Sequence, residues 1–131
     1  MSRRELREEI FKMLFRTEFY TIQELPEQWQ LFFEELENEK EDDIAYIRDK
    51  AEQIIDRREE IDGMINDSSK GWKTSRMGKV DLALIRLAVY EMKFEEDMPT
   101  GVAINEAVEL AKSYGTDDSA SFINGVLAKM V

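Results

Sequence analysis

Hydrophobic residues recur at helical spacing along almost the whole chain, and this periodicity limits the fold more than any other feature of the sequence. Side chains three and four residues apart lie on one face of a helix, whereas a strand needs alternation with a period of two. No segment shows convincing strand alternation, and only two prolines interrupt the pattern. The sequence therefore predicts an all-α protein of about six or seven helices.

The predicted helices of the N-terminal half are amphipathic. The first runs from about Arg3 to Tyr20, and a second begins near Pro26, because proline suits the first turn of a helix. The third is expected to be long, from about Asp42 to Met64. Its acidic start is favourable, since the helix dipole places partial positive charge there.

The helix predicted from Lys79 to about Phe94 is apolar on almost every side, which is typical of a helix covered by its neighbours. We therefore expect it to be the central element of the C-terminal half. A further helix is predicted to begin near Thr100 and to end at Tyr114, before Gly115. The last helix is expected to be capped at its start by Asp118. Gly125 inside the last helix predicts the close approach of another helix at that point.

A polar stretch from Asn66 to Lys79 divides the chain. The N-terminal half is placed at about 1–65 and the C-terminal half at about 77–131, within a single helical domain of residues 1–131. A domain of this size can bury roughly two thirds of its unfolded surface, so it needs no covalent cross-links to fold.

The composition excludes several kinds of chemistry. The chain has neither cysteine nor histidine, so it lacks thiol nucleophiles, the common metal ligands and the usual general base near neutral pH. It also has no phosphate-binding glycine loop. We expect a protein that is not an enzyme and has no cofactor or metal. No apolar run reaches the roughly 18 residues of a membrane span and no secretory signal is present, so a cytoplasmic protein is expected.

The net charge of −11 repels nucleic acid at long range, so an RNA site has to be a local basic patch. The first helix offers one. Arg3, Arg7, Phe11 and Glu18 share a stripe beside the apolar face, and Arg4 and Phe15 lie on its outer flank. Exposed guanidinium groups pair with phosphates, and aromatic rings stack on the bases of single-stranded RNA. The same pattern also fits the exposed end of an ordinary amphipathic helix whose aromatic residues pack inside.

The C-terminal third carries a long motif. Its residues are Val102-Ala103-Ile104-Asn105-Glu106-Ala107-Val108-Glu109-Leu110-Ala111-Lys112, then Tyr114-Gly115, then Phe122-Ile123-Asn124-Gly125-Val126-Leu127. Matching residues upstream are Trp72, Arg76, Val80 to Ala88, Tyr90 to Met92 and, near the N-terminus, Arg3, Arg7, Glu8, Leu14 and Phe15. In these positions the chain resembles the NusB family from Arg3 to Leu127.

The resemblance implies an all-helical fold of two packed three-helix bundles and a role without catalysis. NusB-like factors bind the boxA element of nascent RNA with the ribosomal protein NusE as partner. In the antitermination complex they help RNA polymerase to transcribe through terminators in ribosomal RNA operons. The positions that match RNA-binding residues of the family are Arg3, Arg4, Arg7, Phe15, Asp81, Asp118 and Phe122.

Two other interpretations remain open. NusB-like domains also precede the catalytic domain of RNA cytosine methyltransferases, so the chain could be a detached RNA-binding module of that kind. The acidic composition equally fits a helical protein–protein adaptor that does not bind RNA. The family pattern admits a monomer and a homodimer alike.

Overall fold

The computed structural model describes residues 1–131 and contains seven α-helices, one short 3₁₀ helix and no strand. The elements in chain order are α1 (Arg3–Arg16), α2 (Leu25–Glu35), α3 (Glu41–Asp56), α4 (Arg58–Ser68), the 3₁₀ helix (Thr74–Arg76), α5 (Lys79–Phe94), α6 (Thr100–Tyr114) and α7 (Ser119–Ala128). The predicted all-α class and the number of helices are confirmed. None of the helices combines the length and the apolar composition that crossing a membrane requires.

The chain divides into two compact units, residues 1–55 and residues 56–131. The first unit holds α1 to α3 and the second holds α4 to α7. The division falls inside the segment for which the sequence predicts one long helix. Arg57 has φ −98° and ψ 11°, outside the helical region, so this segment forms α3 and α4 instead. Ile54 and Ile61 are seven residues apart, about two turns, so the apolar periodicity continues through the break and does not reveal it.

The core of the first unit consists of one apolar face from each of its three helices. Its most buried large side chains are Ile10, Met13, Phe32, Ile47 and Ile54. The faces opposite this core are strongly charged, which is the pattern expected for surface helices.

The second unit is built around α5, which contacts α4, α6 and α7. All residues of α5 from Leu82 to Glu91 are buried, so the predicted central position is confirmed. Arg86 lies inside this buried stretch. Its Nε and Nη2 donate to the two carboxylate oxygens of Asp62 at 2.8 and 2.7 Å, which ties α5 to α4.

Two glycines of the second unit differ from each other in their surroundings. A Cβ added to Gly125 would meet nothing within 4 Å, so the predicted close approach of a helix there is wrong. Gly115 ends α6 as expected, but with φ −96° it does not need the left-handed conformation. A Cβ added to it would lie 2.5 Å from Ser119 Cβ and 2.9 Å from the Ala111 carbonyl oxygen. Lack of space therefore requires glycine at this position.

Candidate nucleic-acid interface

The first candidate surface is the start of α1, where Arg3 and Arg4 are exposed. The Ser2 hydroxyl accepts a hydrogen bond from the Glu5 N–H at 3.1 Å, and the Glu5 carboxylate accepts one from the Ser2 N–H at 2.9 Å. This reciprocal cap fixes the first turn that carries both arginines. The bond from the Ser2 backbone is the main cause that lowers the pKa of Glu5, so its negative charge persists beside the arginines.

Arg7 lies one turn further along α1 and differs from the expectation. Only 7% of its surface is exposed, so the exposed position predicted for it is wrong. At the position of Arg7, neighbouring side chains cover the stripe beside the apolar face. Arg7 therefore contributes to folding, and a change at this position affects more than an RNA contact.

Phe15 continues a row of residues spaced four apart, which places them along one ridge of the helix surface. Its ring centre is 6.0 Å from that of Phe11 and 5.0 Å from that of Phe19, the latter edge to face. Phe11 is buried, Phe15 is half-buried, and Phe19 is 55% exposed. The row therefore begins with an exposed cation at Arg3 and ends with an exposed aromatic ring.

The second candidate surface lies in the other unit and brings together the three remaining predicted residues, Asp81, Asp118 and Phe122. They line a cleft of about 270 Å³, which we call the aromatic cleft. Its full lining consists of Trp72, Arg76, Met77, Gly78, Asp81, Asp118 and Phe122. Residues from the start of α5, the start of α7 and the segment before α5 thus meet in one place.

An aromatic pair forms the floor of this cleft. The ring centres of Trp72 and Phe122 are 5.6 Å apart with an interplanar angle of 80°, an edge-to-face contact. Trp72 is 52% exposed although it is a large apolar side chain. A half-exposed indole ring provides a stacking surface for an unpaired base.

The segment that carries Trp72 is the most basic part of the chain. Residues 69–79, which we call the basic segment, contain four basic side chains and no acidic one. Arg76 is exposed, lines the cleft and has no ion-pair partner. Asn66 anchors the segment to α4, because its Oδ1 accepts from the Thr74 N–H at 2.8 Å and its backbone oxygen accepts from Lys73 Nζ at 3.1 Å.

Trp72 and Arg76 were not among the predicted RNA-binding residues. The signal for them was present in the sequence, as a run of basic residues without acidic neighbours around a single tryptophan in a chain of net charge −11. The prediction concentrated on the arginines of α1, where acidic residues are interleaved.

Asp118 occupies the N-cap position of α7, but its side chain makes no capping hydrogen bond. The Thr116 N–H instead donates to the Ser119 hydroxyl at 2.9 Å, inside the turn that leads into the helix. The predicted capping role of Asp118 is therefore wrong. Its exposed carboxylate lines the aromatic cleft and adds negative charge there.

The two surfaces carry the groups that bind single-stranded RNA, namely guanidinium groups for phosphates and partly open aromatic rings for bases. No group of three or more acidic side chains is arranged to hold a metal ion.

Comparison with known proteins is consistent across sequence and structure. The model of the NusB family matches residues 4–131. The transcription antitermination protein NusB of Agathobacter rectalis is 57% identical over 129 residues, with 98% of each chain covered. The NusB of Lachnoclostridium phytofermentans is 49% identical over 131 residues, which cover 100% of this chain and 99% of that protein.

Solved structures share the fold. The T. maritima NusB structure superimposes with a TM-score of 0.86 at 35% identity and covers 99% of this chain and 90% of that one. A crystal structure of the antitermination factors NusB and NusE in complex with double-stranded RNA has a TM-score of 0.81 at 27% identity. It covers 98% of this chain and 94% of the matched one.

Proposed function

Because this chain belongs to the NusB family, we propose that it is a transcription antitermination factor that binds boxA RNA together with the ribosomal protein NusE. As part of the antitermination complex it helps RNA polymerase to transcribe through terminators in ribosomal RNA operons. This is a binding role in the cytoplasm, without catalysis and without a cofactor.

The observation that carries the RNA part of this proposal is the aromatic cleft. It combines a half-exposed tryptophan, a second aromatic ring at 5.6 Å and the unpaired guanidinium of Arg76. A protein with net charge −11 needs concentrated sites of this kind, since its overall charge repels phosphates. A NusB of the same fold was crystallised with NusE and RNA, which supports both partners.

We assign different tasks to the residues of the two surfaces. Trp72 and Phe122 stack on bases, and Arg76 pairs with a phosphate. Arg3 and Arg4 supply further phosphate contacts on α1. Of the remaining predicted residues, Arg7 supports α1 and its arginines from a buried position, and Phe15 extends the aromatic ridge. Asp81 and Asp118 border the cleft and limit its affinity for phosphate.

Fluorescence anisotropy with labelled boxA RNA tests the proposal, with a scrambled RNA as control and with NusE present or absent. We expect weak binding by the protein alone, tighter binding with NusE and preference for boxA. Phosphate contacts by Arg3, Arg4 and Arg76 predict a log–log dependence on salt with a slope of about −2, at roughly −0.7 per contact on single strands.

Two results would contradict the proposal. Equal affinity for boxA and scrambled RNA, with no effect of NusE, would remove the antitermination role. Tight binding of NusE without any RNA binding would instead favour the helical adaptor, because the aromatic cleft would then have no RNA function.

A further inference from the structure

The acidic residues of this protein are concentrated in one part of the chain. Residues 24–52, which include α2 and most of α3, contain eleven acidic side chains and three basic ones. This stretch has the opposite character to the basic segment and repels RNA. A surface of this charge favours the approach of a cationic partner.

A groove of about 500 Å³ lies between α2 and α3 in this acidic stretch. We call it the acidic groove. Trp29 and Phe33 form its apolar part, and both side chains are half-buried. The exposed carboxylates of Glu34, Glu37 and Glu52 surround these two rings. The volume is within the usual range for sites that hold a small molecule or a few side chains.

The carboxylates around the groove are not neutralised within the protein. Glu34, Glu37 and Glu52 have no ion-pair partner, although Arg48 lines the same groove. The guanidinium carbon of Arg48 lies 4.4 Å from the centre of the Phe33 ring, over its face. Arg48 therefore makes a cation–π contact instead of a salt bridge, and three negative charges remain available to a partner.

We propose that the acidic groove binds a cationic segment of a partner protein in which basic residues flank an aliphatic one. The aliphatic side chain packs against Trp29 and Phe33, and the flanking basic groups pair with the three glutamates. The Arg48–Phe33 contact shows that the Phe33 ring accepts a cation on its face. Its lining residues are shared with neither RNA-binding surface.

A synthetic amidated peptide, Lys-Arg-Leu-Arg-Lys, is a suitable probe. The chain has two tryptophans, so its NMR spectrum contains two indole N–H signals, which Trp72→Phe assigns. Titration of the full chain with the peptide should shift the Trp29 signal to saturation and leave that of Trp72 in place. The analogue Lys-Arg-Gly-Arg-Lys carries the same charge without the aliphatic side chain and should bind several-fold more weakly.

Two charge-matched double variants separate the groove from the overall charge. Glu34→Lys with Glu37→Lys should weaken peptide binding about ten-fold or more, because attraction becomes repulsion at the contact. Glu59→Lys with Glu96→Lys changes the net charge equally in the other unit and should leave the affinity within about two-fold.

The titrations and the two double variants can support the proposed peptide site or overturn it. A shift confined to Trp29, lost with the groove variant and kept with the control, supports the proposal. Equal weakening by both variants, or equal binding of the leucine and glycine peptides, would overturn it in favour of non-specific charge attraction. A Trp29 shift caused by boxA RNA would overturn it in favour of a nucleic-acid site.

Discussion

Replacement of Trp72 by alanine tests the aromatic cleft most directly. Base stacking on an aromatic side chain contributes about 1–3 kcal/mol, and every 1.4 kcal/mol corresponds to ten-fold in affinity. Trp72→Ala should therefore weaken boxA binding by about five-fold to more than a hundred-fold. The cost to folding should be small. The indole is 52% exposed and makes one edge-to-face aromatic contact, which is worth about 0.5–1.5 kcal/mol.

The dependence on salt distinguishes stacking from charge. Trp72→Ala removes no phosphate contact, so the log–log salt slope should stay unchanged while the affinity falls. Arg76→Ala should lower the affinity and also reduce the slope by about 0.7. Binding is measured by anisotropy at four or five salt concentrations, and folding by circular dichroism and thermal melting. Trp72→Phe should retain part of the affinity, and Trp29→Ala in the other unit serves as the tryptophan control.

The reasoning would be refuted by a folded Trp72→Ala protein that binds boxA as tightly as the unchanged chain. It would also be refuted if Trp72→Ala altered the salt slope as Arg76→Ala does, because Trp72 would then act by positioning charges. An equal loss of affinity in Trp29→Ala would show that neither effect is specific to the cleft.

The remaining predictions concern stability as well as binding. Arg7→Ala should lower the melting temperature and weaken RNA binding, whereas Arg3→Ala should weaken RNA binding only; equal melting temperatures would contradict the buried position of Arg7. Gly125→Ala should stabilise the protein by about 0.5–1 kcal/mol, because residue 125 lies in a helix with open space around it. Gly115→Ala should destabilise the protein by about 1–3 kcal/mol through overpacking. Urea unfolding measures both changes in the free energy of unfolding. Asp118→Asn should tighten boxA binding several-fold with unchanged thermal stability, since charges about 8 Å apart interact by roughly 2 kcal/mol at an effective dielectric near 20 before salt screening. Unchanged or weaker RNA binding by Asp118→Asn would place this carboxylate away from the RNA.

Helical periodicity was sufficient to predict the fold class, since it depends only on which side chains are apolar and at what spacing. It also identified α5 as the buried central helix. It did not reveal the break at Arg57, because Ile54 and Ile61 keep the same phase on both sides. The backbone at Arg57 can leave the helical conformation without any change in the apolar pattern. Tertiary packing, which the pattern does not contain, determines that conformation.

The candidate site was predicted in part. The residues Asp81, Asp118 and Phe122 were named from the family motif, and the structure places all three in one cleft. The burial of Arg7 was not predictable from its spacing. Residues at the border of an apolar helix face can be covered by other side chains or exposed to solvent, and the spacing is the same in both cases. Trp72 matches the family pattern, but a tryptophan in a polar loop has no helical periodicity that would mark it as a binding residue.

The crowding at Gly115 has a consequence for how this turn can vary among related proteins. The atoms that exclude a side chain at position 115 belong mainly to Ser119, whose hydroxyl accepts the Thr116 N–H at 2.9 Å. Ser119 is only 2% exposed and has little freedom to move aside. The identity of residue 115 is thus dictated by the packing of the neighbouring turn, since both the hydroxyl and the Cβ of Ser119 occupy the space that a side chain would need. A lineage that replaces this glycine must therefore move the turn that carries residue 119 and not only remove the serine hydroxyl, because Ser119 Cβ and the Ala111 carbonyl oxygen would still lie 2.5 and 2.9 Å from the new Cβ.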